Sequence, residues 1–539
     1  MKSYASGLTA VGLLLLGSTA AADDAPPVIA VPPVIAAPPV IAAPPVIAAP
    51  PVIAVPAVTP PPAVFASLRD EPSAPALAGV DNGGAFLRDV RDVVRIYPSA
   101  RVTLDGHLFP GAPTLATNGD SLGASVLVRR VGFEVSGDIG SRLAFTVGVE
   151  LGGSRIGTTV FTGADTSRRA MPSANDGRVR PADAHVSYLF RRWLNFTAGQ
   201  QLLPFSMSNR TPDSVGELPE RPLGIRAFAA PWHRDVGLTV WGEAAPKEYL
   251  HYELGVFSGD GYEHPFADAL PEFAGRIHSR PFAGLGSDFI LSKAQFGVSA
   301  RIGSRDPKRV GYDYPTVASG QGWVLWQPGY VDSLGRVTHV LPSGLQRAVG
   351  GEVRLPFQLP WGRALELQSE LYYVENDTRE AVAGYVSTNT ERFGRMQGLG
   401  WYAQLSLWCC GDAHANGAVG VVKPRQRALG QPTRIPRGLE LLALASGIDA
   451  NYDGAGREGS TPDAKTPRSN VKVFQLGGGA QYWFGSNFRG GAFYSAYVAP
   501  DSGTAKNLVS LPGDVPDESG KANGASVLHE VTLRLAAGF

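Results

Sequence analysis

Along residues 101–539 apolar and polar side chains alternate with a period of two, the rhythm of strands with one oily and one wet face. In 364–373, Leu365, Leu367, Leu371 and Tyr373 oppose Glu366, Gln368, Glu370 and Tyr372. In 142–151, Leu143, Phe145, Val147, Val149 and Leu151 oppose Arg142, Thr146 and Glu150. The terminal run sets Val531, Leu533, Leu535, Ala537 and Phe539 against Glu530, Thr532 and Arg534. Strands of this kind begin near Arg101, Ser125, Arg142, Asp183, Asn195, Val236, Leu250, Phe273, Phe296, Ala348, Ala364, Leu399, Gly438, Val473, Arg489 and His529. That makes about sixteen, an even number in the range that closes a water-filled bacterial barrel.

Three features place the polar wall on the inside. Strand lengths of about nine to eleven residues match a tilted crossing of the hydrocarbon layer. Aromatics gather near strand ends, at Tyr372-Tyr373, Trp401-Tyr402, Trp408, Tyr482-Trp483-Phe484, Tyr494 and Tyr497, as in the girdles at a lipid interface. Long polar connections (304–346, 376–398, 451–470) alternate with short ones (137–141, 191–192), as outer loops alternate with periplasmic turns. The expected fold is therefore all-β: a transmembrane antiparallel barrel surrounded by outer-membrane lipid. Phe539, closing an alternating strand, looks like the signal such barrels present to their assembly machinery.

The N-terminus sets the compartment. Lys2, a short apolar run over 8–16 and the small residues Ser18 to Ala22 form a secretory signal peptide over 1–22. No later stretch reaches the roughly 18 to 20 apolar residues of a membrane-spanning helix. Residues 23–63 repeat a hexapeptide beginning Pro26-Pro27-Val28-Ile29-Ala30, which predicts an extended polyproline II arm in the periplasm. The arm is either a spacer that contacts the cell wall or a passive linker. Residues 64–100 read as a linker with one short helix, and 101–539 as the barrel domain.

Two cysteines, Cys409 and Cys410, are adjacent and cannot form a loop-closing framework. They are either a reactive or metal-binding spot near His414 or two small residues ending a strand. The formal net charge is zero, which points to no nucleic-acid partner. Arginine far outnumbers lysine. Either the planar guanidinium fork is in use for phosphate or carboxylate, or the bias comes from codon usage.

No phosphate-binding loop, zinc-protease helix, nucleophile elbow or zinc-spaced Cys/His set is present, so no enzyme, cofactor or metal is expected. Gly477-Gly478-Gly479 lies inside an alternating strand and reads as close packing at a bend. The informative segment is 198–243, which leaves a strand at Leu203, turns at Pro204-Phe205 and re-enters a strand at Val236. A long loop of this kind can fold into a wide lumen and narrow it. Arg210, Arg221, Arg226, His233 and Arg234 are then a cationic constriction, since rings of such groups favour anions.

Gly199-Gln200, Pro204-Phe205, Glu220-Arg221, Phe228 and Arg234-Asp235-Val236-Gly237 resemble the phosphate-selective porin O and P family. Val128-Arg129-Arg130-Val131-Gly132, Asp183-Ala184-His185-Val186-Ser187-Tyr188, Tyr482-Trp483-Phe484 and the final strand from Leu533 fit as well. The resemblance covers about 101–539. It implies a sixteen-stranded barrel, a homotrimer, an inward-folded third loop and an arginine-lined channel. One departure is Leu202, where the family often carries lysine, and it speaks against phosphate in particular.

Parity adds Arg101, Arg130, Arg276, Arg301, Arg354 and Arg534 as lumen-facing residues. Each is either a rung of an anion path or the partner of an inward carboxylate such as Glu134, Glu352 or Glu530. The expected function is passive diffusion of small anions, phosphate or polyphosphate-like. The alternatives are a general non-selective porin and a structural protein tethering the outer membrane to the cell wall.

Overall fold

A computed structural model of the protein describes residues 77–538 apart from stretches inside the connections, the longest being 112–123, 383–391, 413–436, 454–467 and 499–514. The expected signal peptide and proline-rich arm (1–63), Phe539 and His414 lie outside the described residues.

Sixteen strands form the wall. They are β1 (Val94–Leu108), β2 (Ser125–Ile139), β3 (Leu143–Leu151), β4 (Val179–Arg191), β5 (Leu194–Leu202) and β6 (Arg234–Ala245). There follow β7 (Leu250–Phe257), β8 (Glu272–Ser279), β9 (Gln295–Arg305), β10 (Val337–Gln358) and β11 (Ala364–Val382). The last five are β12 (Arg392–Asp412), β13 (Arg437–Asp453), β14 (Arg468–Trp483), β15 (Phe488–Val498) and β16 (Val527–Gly538). Each pairs antiparallel with its predecessor, and β16 returns to β1 from Val531↔Leu108 to Gly538↔Arg101. The sheet is a closed barrel. Closure pairs the backbone amides and carbonyls between strands, which is what a hydrocarbon environment demands.

Alternation turns this ring into an apolar outside and a polar inside. On β16, Leu533 and Leu535 are 47% and 52% exposed while Glu530 is 1% exposed. On β11, Leu371 and Tyr373 face out, and Glu370, Tyr372 and Val374 face in. The aromatics expected as interface girdles divide in the same way. Tyr373, Phe484 and Tyr494 are exposed, but Tyr372, Tyr402, Trp408, Trp483 and Tyr497 are buried inside the barrel. Neighbouring residues on a pleated strand point to opposite faces, so an adjacent aromatic pair cannot lie wholly at the lipid.

Some boundaries differ from expectation. β1 starts at Val94, and β10 starts at Val337, ahead of the expected Ala348. A register shift between Pro342 and Gln346 interrupts the rhythm of β10 and hides its first turns from a parity count. In the region read as a linker with a short helix, Ala78–Asp81 and Gly84–Arg88 form a hairpin that adds onto β1 through Leu87↔Ile96. The rim with short turns at 140–142 and 192–193 also carries the longer connections 280–294 and 413–436, so the alternation of long and short is not strict. Gly477 and Gly479 sit in β14 where the Phe493 ring leaves no room for a side chain.

A bulge in β2 has consequences for the interior. Thr103 pairs with Arg130 and Leu104 with Val128, so Arg129 is the extra residue. The shift lets consecutive arginines both turn inward, where an unbroken strand would send one of them into lipid.

Candidate functional site: a loop-crossed lumen

The connection 203–233 between β5 and β6 folds into the barrel; within it 213–215 and 230–232 are not described. Its neck is closed by the amide of Leu203 donating to the carbonyl of His233 at 3.0 Å. Ser206, with φ of 74°, caps the one-turn helix α1 (Met207–Arg210) by accepting from the amide of Asn209. The amides of Met207 and Ser208 donate to the carboxylate of Glu370 on β11 at 3.0 and 2.8 Å, and the Tyr402 hydroxyl donates to the same group at 2.7 Å. The loop thus crosses from β5 to a wall six strands away.

Beyond α1 the chain runs against β12 and β13. Gly224 lies backbone to backbone on Gly400 and Trp401; a Cβ there would come within 2.7 Å of the Trp401 amide nitrogen. The π-helical turn Ile225–Ala229 follows. Leu223, Ile225 and Phe228 are buried in one apolar cluster with Tyr372, Tyr402, Leu444 and Phe493 of the wall. Polar anchors complete the seat. Arg489 donates to the carbonyl of Gly216 at 2.5 Å, Gln481 to that of Glu217 at 3.0 Å, and Arg534 to that of Pro219.

Glu220 reaches arginines of β2 and β16. Arg129 Nε donates to it at 2.8 Å and Arg534 Nη2 at 3.4 Å. Burial alone would raise this carboxyl, but Arg129, Arg130 and Arg534 hold it well below the usual carboxylate range. Glu217 behaves oppositely: burial, with Glu440 and Glu366 close by, pushes it well above that range. Between 217–219 and β14 to β16 lies a small open pocket lined by Gln481, Arg489, Phe493, Thr532 and Arg534.

The five residues expected to form a cationic constriction have different neighbours. Arg210 pairs with Glu253 and donates to the carbonyl of Leu202 at 2.6 Å. Arg234 forms a fork on Asp183 at 3.1 and 3.0 Å. His233, at φ of 62°, contacts Asn209 Oδ1 at 2.9 Å. Arg221 donates to the carbonyls of Ser208, Asn209 and Thr211, bracing the loop from within. Arg226 donates from Nη1 to the carbonyl of Ala318 at 2.6 Å, and its Nε and Nη2 have no hydrogen-bond partner.

The wall arginines lie on the inward face as parity predicts, and most meet a carboxylate. Arg276 forks onto Glu352 at 2.9 and 2.6 Å, and Arg354 onto Glu366 at 2.7 and 2.8 Å. Arg301 lies 3.4 Å from Glu272, Arg534 is bound to Asp105, and Arg101 is 3.8 Å from Glu150. Arg130 joins the cluster around Glu220. Parity would also have found Arg305 and Arg489. Arg129 was not accessible to a parity count, because only pairing across β1 and β2 reveals the bulge. Cys409 and Cys410 bring their sulfurs to 4.0 Å at a second bulge in β12.

Residues 111–274 match the family model described as phosphate-selective porin O and P, which bears out the resemblance over that segment. No curated protein matches the chain. Among solved structures, the chain is similar to OmpT, an outer membrane protein of Vibrio cholerae, at 8% identity over 83% of this chain and 100% of that one, with a TM-score of 0.46. It is also similar to the outer membrane channel DcaP of Acinetobacter baumannii (10% identity, 84% and 99% covered, TM-score 0.43). An anion-selective porin from Comamonas acidovorans matches at 12% identity over 83% and 100%, with a TM-score of 0.42.

Proposed function

We infer that this outer-membrane porin lets small anions diffuse passively past the loop 203–233, without a catalytic step. The observation that carries the inference is the positive charge of Arg226, half-buried at the loop, hydrogen-bonded to the carbonyl of Ala318 and paired with no carboxylate among the described residues. Arg129, Arg130 and Arg534 gather around Glu220 beside it and add guanidinium groups to the same region. Asp105 holds Arg534 from the wall. An anion entering this region exchanges some of its water for N–H donors that hold it weakly enough to let it leave. The site fits phosphate or polyphosphate-like solutes as a class, while Leu202 gives no help to phosphate in particular. A homotrimer delivered by the barrel assembly machinery, with the proline-rich arm in the periplasm and in contact with the cell wall, completes the proposal.

A general non-selective porin is the second reading, and one observation favours it. Arg210, Arg234, Arg276, Arg301 and Arg354 each spend their charge on a carboxylate. The zero-current potential of planar bilayers under a potassium chloride gradient separates the two. Anion preference in the wild type that falls in Arg226→Glu supports the first; a wild type without preference supports the second, and an unchanged potential in the variant removes the loop from selectivity. Deleting 26–62 tests the tether: loss of envelope integrity with normal solute uptake assigns the arm a mechanical role.

A further inference from the structure

We propose that Cys409 and Cys410 form a two-thiolate site for a soft monovalent metal ion, copper(I), on the outer face of the barrel at its short-turn rim. The site is independent of what passes through the lumen. These are the only cysteines of the chain. They stand at the end of β12, just before the connection 413–436. In an unbroken strand adjacent side chains point to opposite faces, so one thiol would enter the lumen and the other the outer layer. A bulge removes that separation. Trp408 pairs with Glu440 and Cys410 with Leu439, which leaves Cys409 as the extra residue. Trp408 and Glu440 are buried on the inner face, whereas Cys410 shares the outer face of Leu439. Cys409 keeps the outward parity of Leu405 and Leu407.

Both sulfurs therefore lie on one side, 4.0 Å apart. Cys409 is half-buried, its thiol donating to the carbonyl of Leu439 at 3.3 Å, and Cys410 is exposed. Metal–sulfur bonds of about 2.3 Å each span the 4.0 Å gap at a sulfur–metal–sulfur angle of about 120°. The two thiolates can share one ion without changing their separation. Among the described residues no cluster of three or more metal-ligating side chains occurs, so the four-donor cage of structural zinc is not met there. Soft thiolates select copper(I). An ion held by two of them in a trigonal arrangement keeps a third position for a small thiol or another solute. Binding is an exchange of protons: each thiol gives its hydrogen to solvent as its sulfur bonds the ion, and no electron is transferred. The location suits an exchangeable ion, because the rim of short turns faces the periplasm in barrels of this kind.

The test uses the whole chain folded in detergent, reduced with a phosphine and titrated without oxygen against copper(I) held by bicinchoninate. The wild type is expected to withdraw one copper ion per chain from the chelator. Cys409→Ser and Cys410→Ser should each lose that uptake, because one thiolate alone cannot compete. Unchanged uptake in either single variant overturns the proposal, as does a reduced wild type that takes no copper. Copper-loaded wild type should also resist alkylation of both thiols by maleimide, and equal alkylation with and without copper counts against the site. Should a serine variant give no heat-modifiable barrel, wild type alkylated after folding takes its place, and copper uptake by that protein overturns the proposal. Copper uptake is read without any solute crossing the membrane, so failure of this site and failure of the porin reading are separate outcomes.

Discussion

The inner wall has two halves of opposite character. On β7 to β10 it is charged: Glu253 holds Arg210, Glu352 holds Arg276, Glu272 lies against Arg301 and Arg305, and His251 stacks on His278 at 4.8 Å. On β11 to β15 it carries a broad apolar band, with Tyr372, Val374, Tyr402, Leu442, Leu444, Ile448, Phe493 and Tyr497 buried alongside the polar Glu370, Gln404, Glu440 and Arg489. Apolar groups facing a water-filled lumen gain nothing unless something covers them, and the loop 203–233 covers them with Leu223, Ile225 and Phe228. Each such side chain removed from water contributes roughly 1.5–3 kcal/mol. A buried ion pair comes out near balance against its desolvation. Adhesion of the loop therefore comes from the apolar half, and its orientation from the charged residues around it.

The contrast can be broken from either side. Glu352→Ala leaves Arg276 buried without the carboxylate it forks onto and is expected to cost about 3–5 kcal/mol, read as a lower unfolding midpoint in denaturant. The double variant Arg276→Met/Glu352→Leu should return most of the loss, because it removes both charges. On the apolar half, Leu444→Ala is expected to cost roughly 2–5 kcal/mol if the site cannot collapse. It should also loosen the loop, measured as faster proteolysis within 203–233. The smallest effect belongs to the outer edge of the wall, where Arg395 is half exposed beside Glu375 and Asp377. Arg395→Ala should change the midpoint by less than about 1 kcal/mol, and less still in high salt.

Much of this was legible in the chain itself. Period-two alternation located all sixteen strands, because a wall wet on one side and oily on the other leaves little choice of parity. It also put Arg276, Arg301 and Arg354 on the inner face. What it could not supply was pairing between elements. Glu272 and Glu366 neutralise arginines of the adjacent strand and Glu253 neutralises Arg210 of the loop, and no spacing rule along one strand reveals that. The bulge at Arg129 escaped for the same reason: it exists only in the register between β1 and β2. Arg221 was legible as a loop cation but not as an internal brace, since its partners are backbone carbonyls. The apolar half was hidden too, because an inward Leu442 or Leu444 reads as an error of alternation until the loop that covers it is in place.

Single-channel conductance of the wild type and of Gly224→Val, in the same symmetrical chloride solution, tests most directly whether the loop sets the width of the path. Gly224 meets the backbone of Gly400 and Trp401, so a side chain there must lift the loop from its seat. Clearly larger steps in the variant are the predicted result. Equal steps from a correctly folded Gly224→Val barrel would contradict it, because the loop would then lie outside the route that solutes take.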